Sequence, residues 1–122
     1  MEPKTSLIIS TYNNTEALAL LLKSVRLQSV LPEEVIVADD GSGDTTKELI
    51  KKEKESFPVP LIHVWQPDEG FRLAHIRNKA IAQARYDYLI SIDGDIILHH
   101  HFIRDHKAFA ETGCFIQGGR VI

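Results

Sequence analysis

Four short apolar runs, each closing on polar residues and each followed by a stretch of helical character, constrain this chain more than any other feature. Ser6–Ser10 is the first run, and Thr11, Tyr12, Asn13 and Asn14 follow at once. So short and continuous a run of Leu and Ile reads as a strand buried on both faces, the signature of a parallel sheet. Leu18, Leu21, Leu22 and Val25 then recur at i, i+3, i+4 and i+7, one apolar stripe of a helix. Asn13 with Glu16 three residues later has the spacing of a capping box, and Pro32 closes the region. Val35–Ala38 is the second strand, running into Asp39-Asp40-Gly41-Ser42-Gly43-Asp44. Ser42 or Asp44 is placed to cap a helix over Thr45–Glu55 that buries Leu49 and Ile50. Leu61–Trp65 is a third, peripheral strand, and a loop from Gln66 to Phe71 leads into a helix marked by Leu73, Ile76, Ala80 and Ala84. Tyr86–Ile92 is the fourth strand, ending in Asp93-Gly94-Asp95. A helix from His100 to Glu111, burying Phe102, Ile103 and Phe109, and the start of a fifth strand at Cys114–Gln117 complete the pattern.

Strands alternating with helices imply βαβ units. The expected fold class is α/β: a Rossmann-like, mostly parallel sheet flanked by helices, in a single domain over residues 1–122. In open sheets of this kind ligands bind beyond the carboxyl ends of the strands. The polar clusters sit there, after the first, second and fourth strands. They describe one acidic site.

Charge narrows what that site meets. Fourteen Lys and Arg against 17 Asp and Glu leave a net charge of −3, too little positive field for a phosphate backbone, so nucleic acid is not an expected partner. No apolar run approaches the roughly 20 residues that cross a bilayer, so no membrane segment is expected in this chain. The single cysteine, Cys114, has no internal partner, which suits a reducing compartment. A cytoplasmic location follows as an expectation, membrane-peripheral in the intact protein.

Asp93 and Asp95 lie two apart on a strand end and therefore face one side, with Gly94 permitting close backbone approach. Paired carboxylates suit Mn²⁺ or Mg²⁺, and Mg²⁺ draws its remaining ligands from phosphate and water. Taken alone, such a pair equally describes turn carboxylates in water. Asp40, at the second strand tip, is placed to accept hydrogen bonds from a nucleobase or ribose. Arg72 and Arg77 open the third helix, where guanidinium groups and a helix N-terminus favour phosphate; a solvated basic face is the plainer reading. His99, His100 and His101 diverge around a helix and read as surface. No Gly-x-Gly-x-x-Gly follows the first strand, which argues against an NAD enzyme.

Four segments together resemble the inverting glycosyltransferases of family 2, which have the GT-A fold: Ser6–Asn14, Val35–Ser42, Gly70–Ala80 and Tyr88–Asp95. The third is similar to that of bacterial polysaccharide- and lipopolysaccharide-building members, chondroitin-polymerase types included. The resemblance implies that Thr11 and Tyr12 line a base pocket and that Asp40 accepts from uracil or its equivalent. It also implies that Arg77 and Arg72 serve the base or diphosphate, that Asp93 holds the ribose or a metal-bound water, and that Asp95 ligates Mn²⁺ or Mg²⁺. The implied partners are a nucleotide-sugar donor, a UDP-sugar, and a glycan or lipid-linked acceptor.

Inverting transfer needs a general base to deprotonate the acceptor hydroxyl, and the acids after Asp95 are Asp105 and Glu111 alone. Family domains are longer, so the expectation is the donor-binding half, with the base outside this chain and the isolated fragment inactive. A sheet edge and apolar surface left uncovered would pair two copies as a homodimer. A catalytically inactive sugar-nucleotide-binding or assembly module is the alternative. A dehalogenase-type phosphatase and a phosphoacceptor receiver domain fit less well, lacking respectively the later acids and the acid pair after the first strand.

Overall fold

The computed structural model describes residues 3–108. Four strands, β1 (Thr5–Thr11), β2 (Glu34–Asp39), β3 (Leu61–Trp65) and β4 (Tyr88–Asp93), alternate with helices α1 (Thr15–Arg26), α2 (Asp44–Lys54), α3 (Leu73–Gln83) and α4 (Phe102–Ala108). The strands form one parallel sheet in the order β3-β2-β1-β4. The α/β class is as expected. The fifth strand, Phe109 and Glu111 lie outside the described residues.

β1 and β2 are buried along their whole length, whereas β4 alternates toward its tip. That contrast explains the sequence. A strand with neighbours on both edges and helices on both faces has no solvent side, so it reads as an unbroken apolar run. One face of the sheet carries Leu7, Ile9, Val35 and Val37 against Leu18, Leu21, Leu22 and Val25 of α1, Ile50 of α2 and Ile103 of α4. The other carries Ile8, Ile36, Ala38 and Val64 against Ile76 and Ala80 of α3. Small residues on α3 let it lie close to the sheet.

Two capping expectations are corrected. Asn14, not Asn13, caps α1, its side chain accepting from the Ala17 N–H. Asn13 instead sits at φ 43°, a left-handed conformation that Asn tolerates, and its Oδ1 accepts from the Gly43 N–H. Neither Ser42 nor Asp44 caps α2; the cap residue is Gly43, with no side-chain bond. The Ser42 hydroxyl accepts from the Asn13 N–H instead, tying the β1 and β2 tips together.

The opposite end of the sheet is held by charge. Glu34, 1% exposed, accepts from the Ser6 hydroxyl and the Arg85 N–H through one oxygen. Glu33 accepts from the Thr5 N–H at 2.6 Å and from the Lys107 ammonium at 2.7 Å, fastening α4 to the start of β1. Burial works to push the Glu33 carboxyl up, but the Lys107 and Thr5 donors outweigh it and hold it below the usual glutamate range.

The approach to α4 depends on Gln28. Its Oε1 accepts from the Ile103 N–H, its Nε2 donates to the His99 carbonyl, and the Ser24 hydroxyl accepts from the Leu98 N–H.

Replacing fully buried Leu22 by Ala is expected to lower stability by about 2–5 kcal/mol in urea unfolding, through lost contact and the cavity left behind. A depressed carboxyl stabilises above its unfolded pKa and loses that contribution as pH falls through the folded value. Glu33→Gln should therefore flatten the loss of stability on acidification below the usual glutamate range, read from unfolding midpoints at stepped pH.

Candidate functional site

Register brings the strand tips level. Ser10 lies opposite Asp93 and Thr11 opposite Asp39, so β1, flanked by β2 and β4, ends between two acidic tips. The chain leaves β4 through Gly94, which is buried and whose N–H donates to the Ser10 carbonyl at 2.6 Å. A Cβ at Gly94 would lie 2.6 Å from that carbonyl and 3.2 Å from Thr11 Cβ. Only glycine lets the acidic turn press against the β1 tip.

Above this junction a cleft of about 310 Å³ opens, lined by Ser10, Thr11, Tyr12, Asn14, Phe71, Leu73, Asp93, Gly94 and Asp95. Of the residues expected from sequence, it gathers Thr11, Tyr12, Asp93 and Asp95. Asp93 and Asp95 are exposed on either side of buried Gly94. Arg72 lies between two lining residues, and its guanidinium pairs with Glu69 at 2.9 Å. Asp40 does not line the cleft. It is 2% exposed beside the β1 tip, its N–H donating to the Thr11 carbonyl and its carboxylate bonded into the β3–α3 loop. Arg77 is not in the lining either; its Nε is buried without a hydrogen-bond partner among the described residues.

What the sequence did not disclose about the loop from Gln66 to Arg72 is how it packs against the strand tips. Gly41, at φ +90°, sits so close to it that a Cβ there would lie 2.5 Å from Asp68 backbone atoms. Asp68 accepts from the Tyr12 hydroxyl at 2.7 Å, and that bond, with the carboxylate's charge, pushes the phenol up. Phe71 projects from the loop at the cleft edge, 90% exposed. The available signal was positional: Gln66 follows β3 as Asp40 follows β2.

The donor set suits a hard cation in one respect. Asp93 and Asp95 supply carboxylate oxygens at the cleft, and among the described residues no group of three or more His, Cys, Asp or Glu side chains gathers to hold an ion. Two carboxylates without a closed protein cage fit an ion that takes its other ligands from phosphate and water. The three consecutive histidines do not diverge around a helix as expected: they precede α4, the His101 ring lies 4.7 Å from that of His100 and 5.8 Å from that of His99, and His101 Nδ1 bonds the Ser29 hydroxyl, but they form no metal-holding group among the described residues.

Comparison with known proteins gives a consistent picture. The model of the family described as Glycosyl transferase family 2 matches residues 6–122. Chondroitin synthase of Escherichia coli is 37% identical over 92 residues, covering 75% of this chain and 13% of that protein. The S. aureus TarS 1–349 structure in complex with UDP superposes with a TM-score of 0.71 at 28% identity, over 87% of this chain and 31% of that one. The mannosyltransferase PcManGT from Pyrobaculum calidifontis, in complex with GDP-Man and Mn²⁺, gives 0.70 at 26% identity, over 80% and 29%. The chain thus spans well under a third of the length of the curated relative named here.

Gly94→Ala is expected to lower the thermal midpoint by several degrees and to shift the amide resonances of Ser10, Thr11 and Tyr12 in NMR spectra. Unchanged spectra would mean the turn has room that the 2.6 Å approach denies.

Proposed function

Because the chain belongs to glycosyl transferase family 2, we propose that it is the donor-binding portion of an enzyme transferring a sugar from a nucleoside diphosphate to a glycan or lipid-linked hydroxyl, with inversion. The observation that carries this reading is the convergence of Thr11, Tyr12, Asp93 and Asp95 on one cleft at the carboxyl edge of a parallel sheet. The UDP and GDP-Man complexes of two structural neighbours support it, and we take the donor to be a UDP-sugar.

In this reading the Tyr12 ring lies against the base, and Thr11 lines the pocket beneath it. Asp40 is 2% exposed and outside the cleft lining, so for it to accept from a base N–H the base must insert past the cleft wall beside the β1 tip. Each Asp40 carboxylate oxygen retains a lone pair beyond its bond to the β3–α3 loop. Arg72, freed from exposed Glu69, meets the diphosphate as a planar fork, while Arg77 supports the same region from within α3. Asp93 and Asp95 hold Mn²⁺ or Mg²⁺. A bound divalent cation supplies neutralisation of the charge that develops on a diphosphate leaving group.

The acceptor hydroxyl still needs a base. Asp105 is exposed on α4 and paired with Arg104, and Glu111 lies outside the described residues. We assign the base to a part of the enzyme beyond this chain, so the isolated chain binds donor nucleotide without turning it over. In the intact protein the domain is cytoplasmic and membrane-peripheral; among the described residues no helix is long and apolar enough to cross a membrane.

Calorimetric titration with UDP, with and without Mn²⁺, tests the proposal. The wild-type chain should bind more tightly by about tenfold or more with the ion, and Asp95→Ala should lose that increment while still binding UDP without the ion. Metal-independent binding, or an increment that survives the substitution, would remove Asp95 from the ion's ligands.

A further inference from the structure

Gln66 is 2% exposed, a carboxamide sealed at the carboxyl tip of β3. An amide is unfavourable to bury unless its groups are bonded. Its Oε1 has no hydrogen-bond partner among the described residues. Whatever retains the side chain there acts through the other end. Nε2 donates to Asp40 Oδ1 at 2.7 Å and to the Arg72 carbonyl at 3.1 Å. Asp40 Oδ2 in turn accepts from the Arg72 N–H at 2.9 Å. Three groups therefore close a ring: a carboxylate after β2, an amide after β3, and the backbone of Arg72, which is the N-cap of α3 and has no side-chain cap of its own. The sheet sets the spacing, since Asp39 pairs with Trp65 and the Gln66 N–H donates to the Asp39 carbonyl.

Two bonds, one to each oxygen, leave the Asp40 carboxylate no freedom to rotate about its terminal torsion. A carboxylate can only accept. Resting on the reading of Asp40 as the base contact, we infer that Gln66 is a positioning residue for base selectivity, holding Asp40 as a fixed acceptor that demands a ring N–H from the nucleotide. Uracil and guanine present one, at N3 and N1. Cytosine and adenine present a bare ring nitrogen at the equivalent place, and two acceptors facing each other repel. With Gln66 in place the carboxylate cannot turn away from that clash. Without its Nε2, one oxygen is released, the side chain can tilt, and the penalty against the wrong base falls.

The test is a competition titration of the chain with UDP, GDP, CDP and ADP in the presence of Mn²⁺. The wild-type chain should prefer UDP and GDP to CDP and ADP by about tenfold or more, the worth of one good charge-assisted hydrogen bond against an unmade one. Gln66→Met keeps the unbranched length and removes the donor; it should reduce the UDP-to-CDP ratio by about fivefold. Partial unfolding scales both dissociation constants equally, so the ratio reports on selectivity even if the variant is less stable. Equal weakening toward all four nucleotides would make Gln66 a loop strut and overturn the inference. Asp40→Asn separates the two levels. If it leaves the UDP-to-CDP ratio unchanged, the reading of Asp40 fails and the inference with it. If it collapses the ratio and Gln66→Met does not, the inference alone fails.

Discussion

The pairing of β1 on both edges is the constraint on which the rest depends. Its backbone groups are bonded to β2 on one side and β4 on the other, and helices cover both faces, so the strand has no register freedom. A slip of one residue would exchange Leu7 and Ile9 with Ile8 between the two cores. Because that is forbidden, Ser10, Thr11 and Tyr12 emerge at one fixed height between Asp39 and Asp93. The cleft is a by-product of register: strands that must align in the core also align at their ends.

Around that fixed point the chain uses glycine where two backbones must touch. Gly94 lets the β4 turn close on the Ser10 carbonyl, and Gly41 lets the β3–α3 loop settle against the β2 tip. Hydrogen bonds then do what van der Waals contact cannot, and fix orientation. Asp40 gathers Gln66 and Arg72, the N-cap of α3, and Tyr12 reaches Asp68, so a loop without regular structure is held by its ends and its middle. The result is a rim carrying an exposed aromatic, Phe71, beside two carboxylates.

Much of this was legible in the residues. Runs such as Leu7–Ile9 and Val35–Ala38 are apolar throughout because their strands have no wet face, and the polar residues that end them had to share an edge once the sheet was parallel. Capping was misread for a local reason. Asn13 and Asn14 are chemically equivalent candidates, and only the left-handed turn at Asn13 decides between them. Ser42 looked like a cap because nothing in its neighbourhood announces that Asn13, twenty-nine positions earlier, needs an acceptor. Gln66 and Gln28 were invisible for the same cause. Their value lies in partners distant along the chain, and a single glutamine carries no periodicity. Asp40 was read at the second strand tip and Arg77 in the opening of the third helix, but whether such a side chain faces a cleft or the body of the protein depends on torsions that spacing does not encode.

The bonds that Glu33 accepts from Lys107 and the Thr5 N–H, and Glu34 from Ser6 and the Arg85 N–H, stand at the pole of the sheet away from the cleft. Cohesion is thereby secured where no ligand arrives, and recognition is left to loops that the hydrophobic layers do not need. A scaffold divided this way lets a ligand arrive at one end of the sheet without disturbing the bonds that close the other.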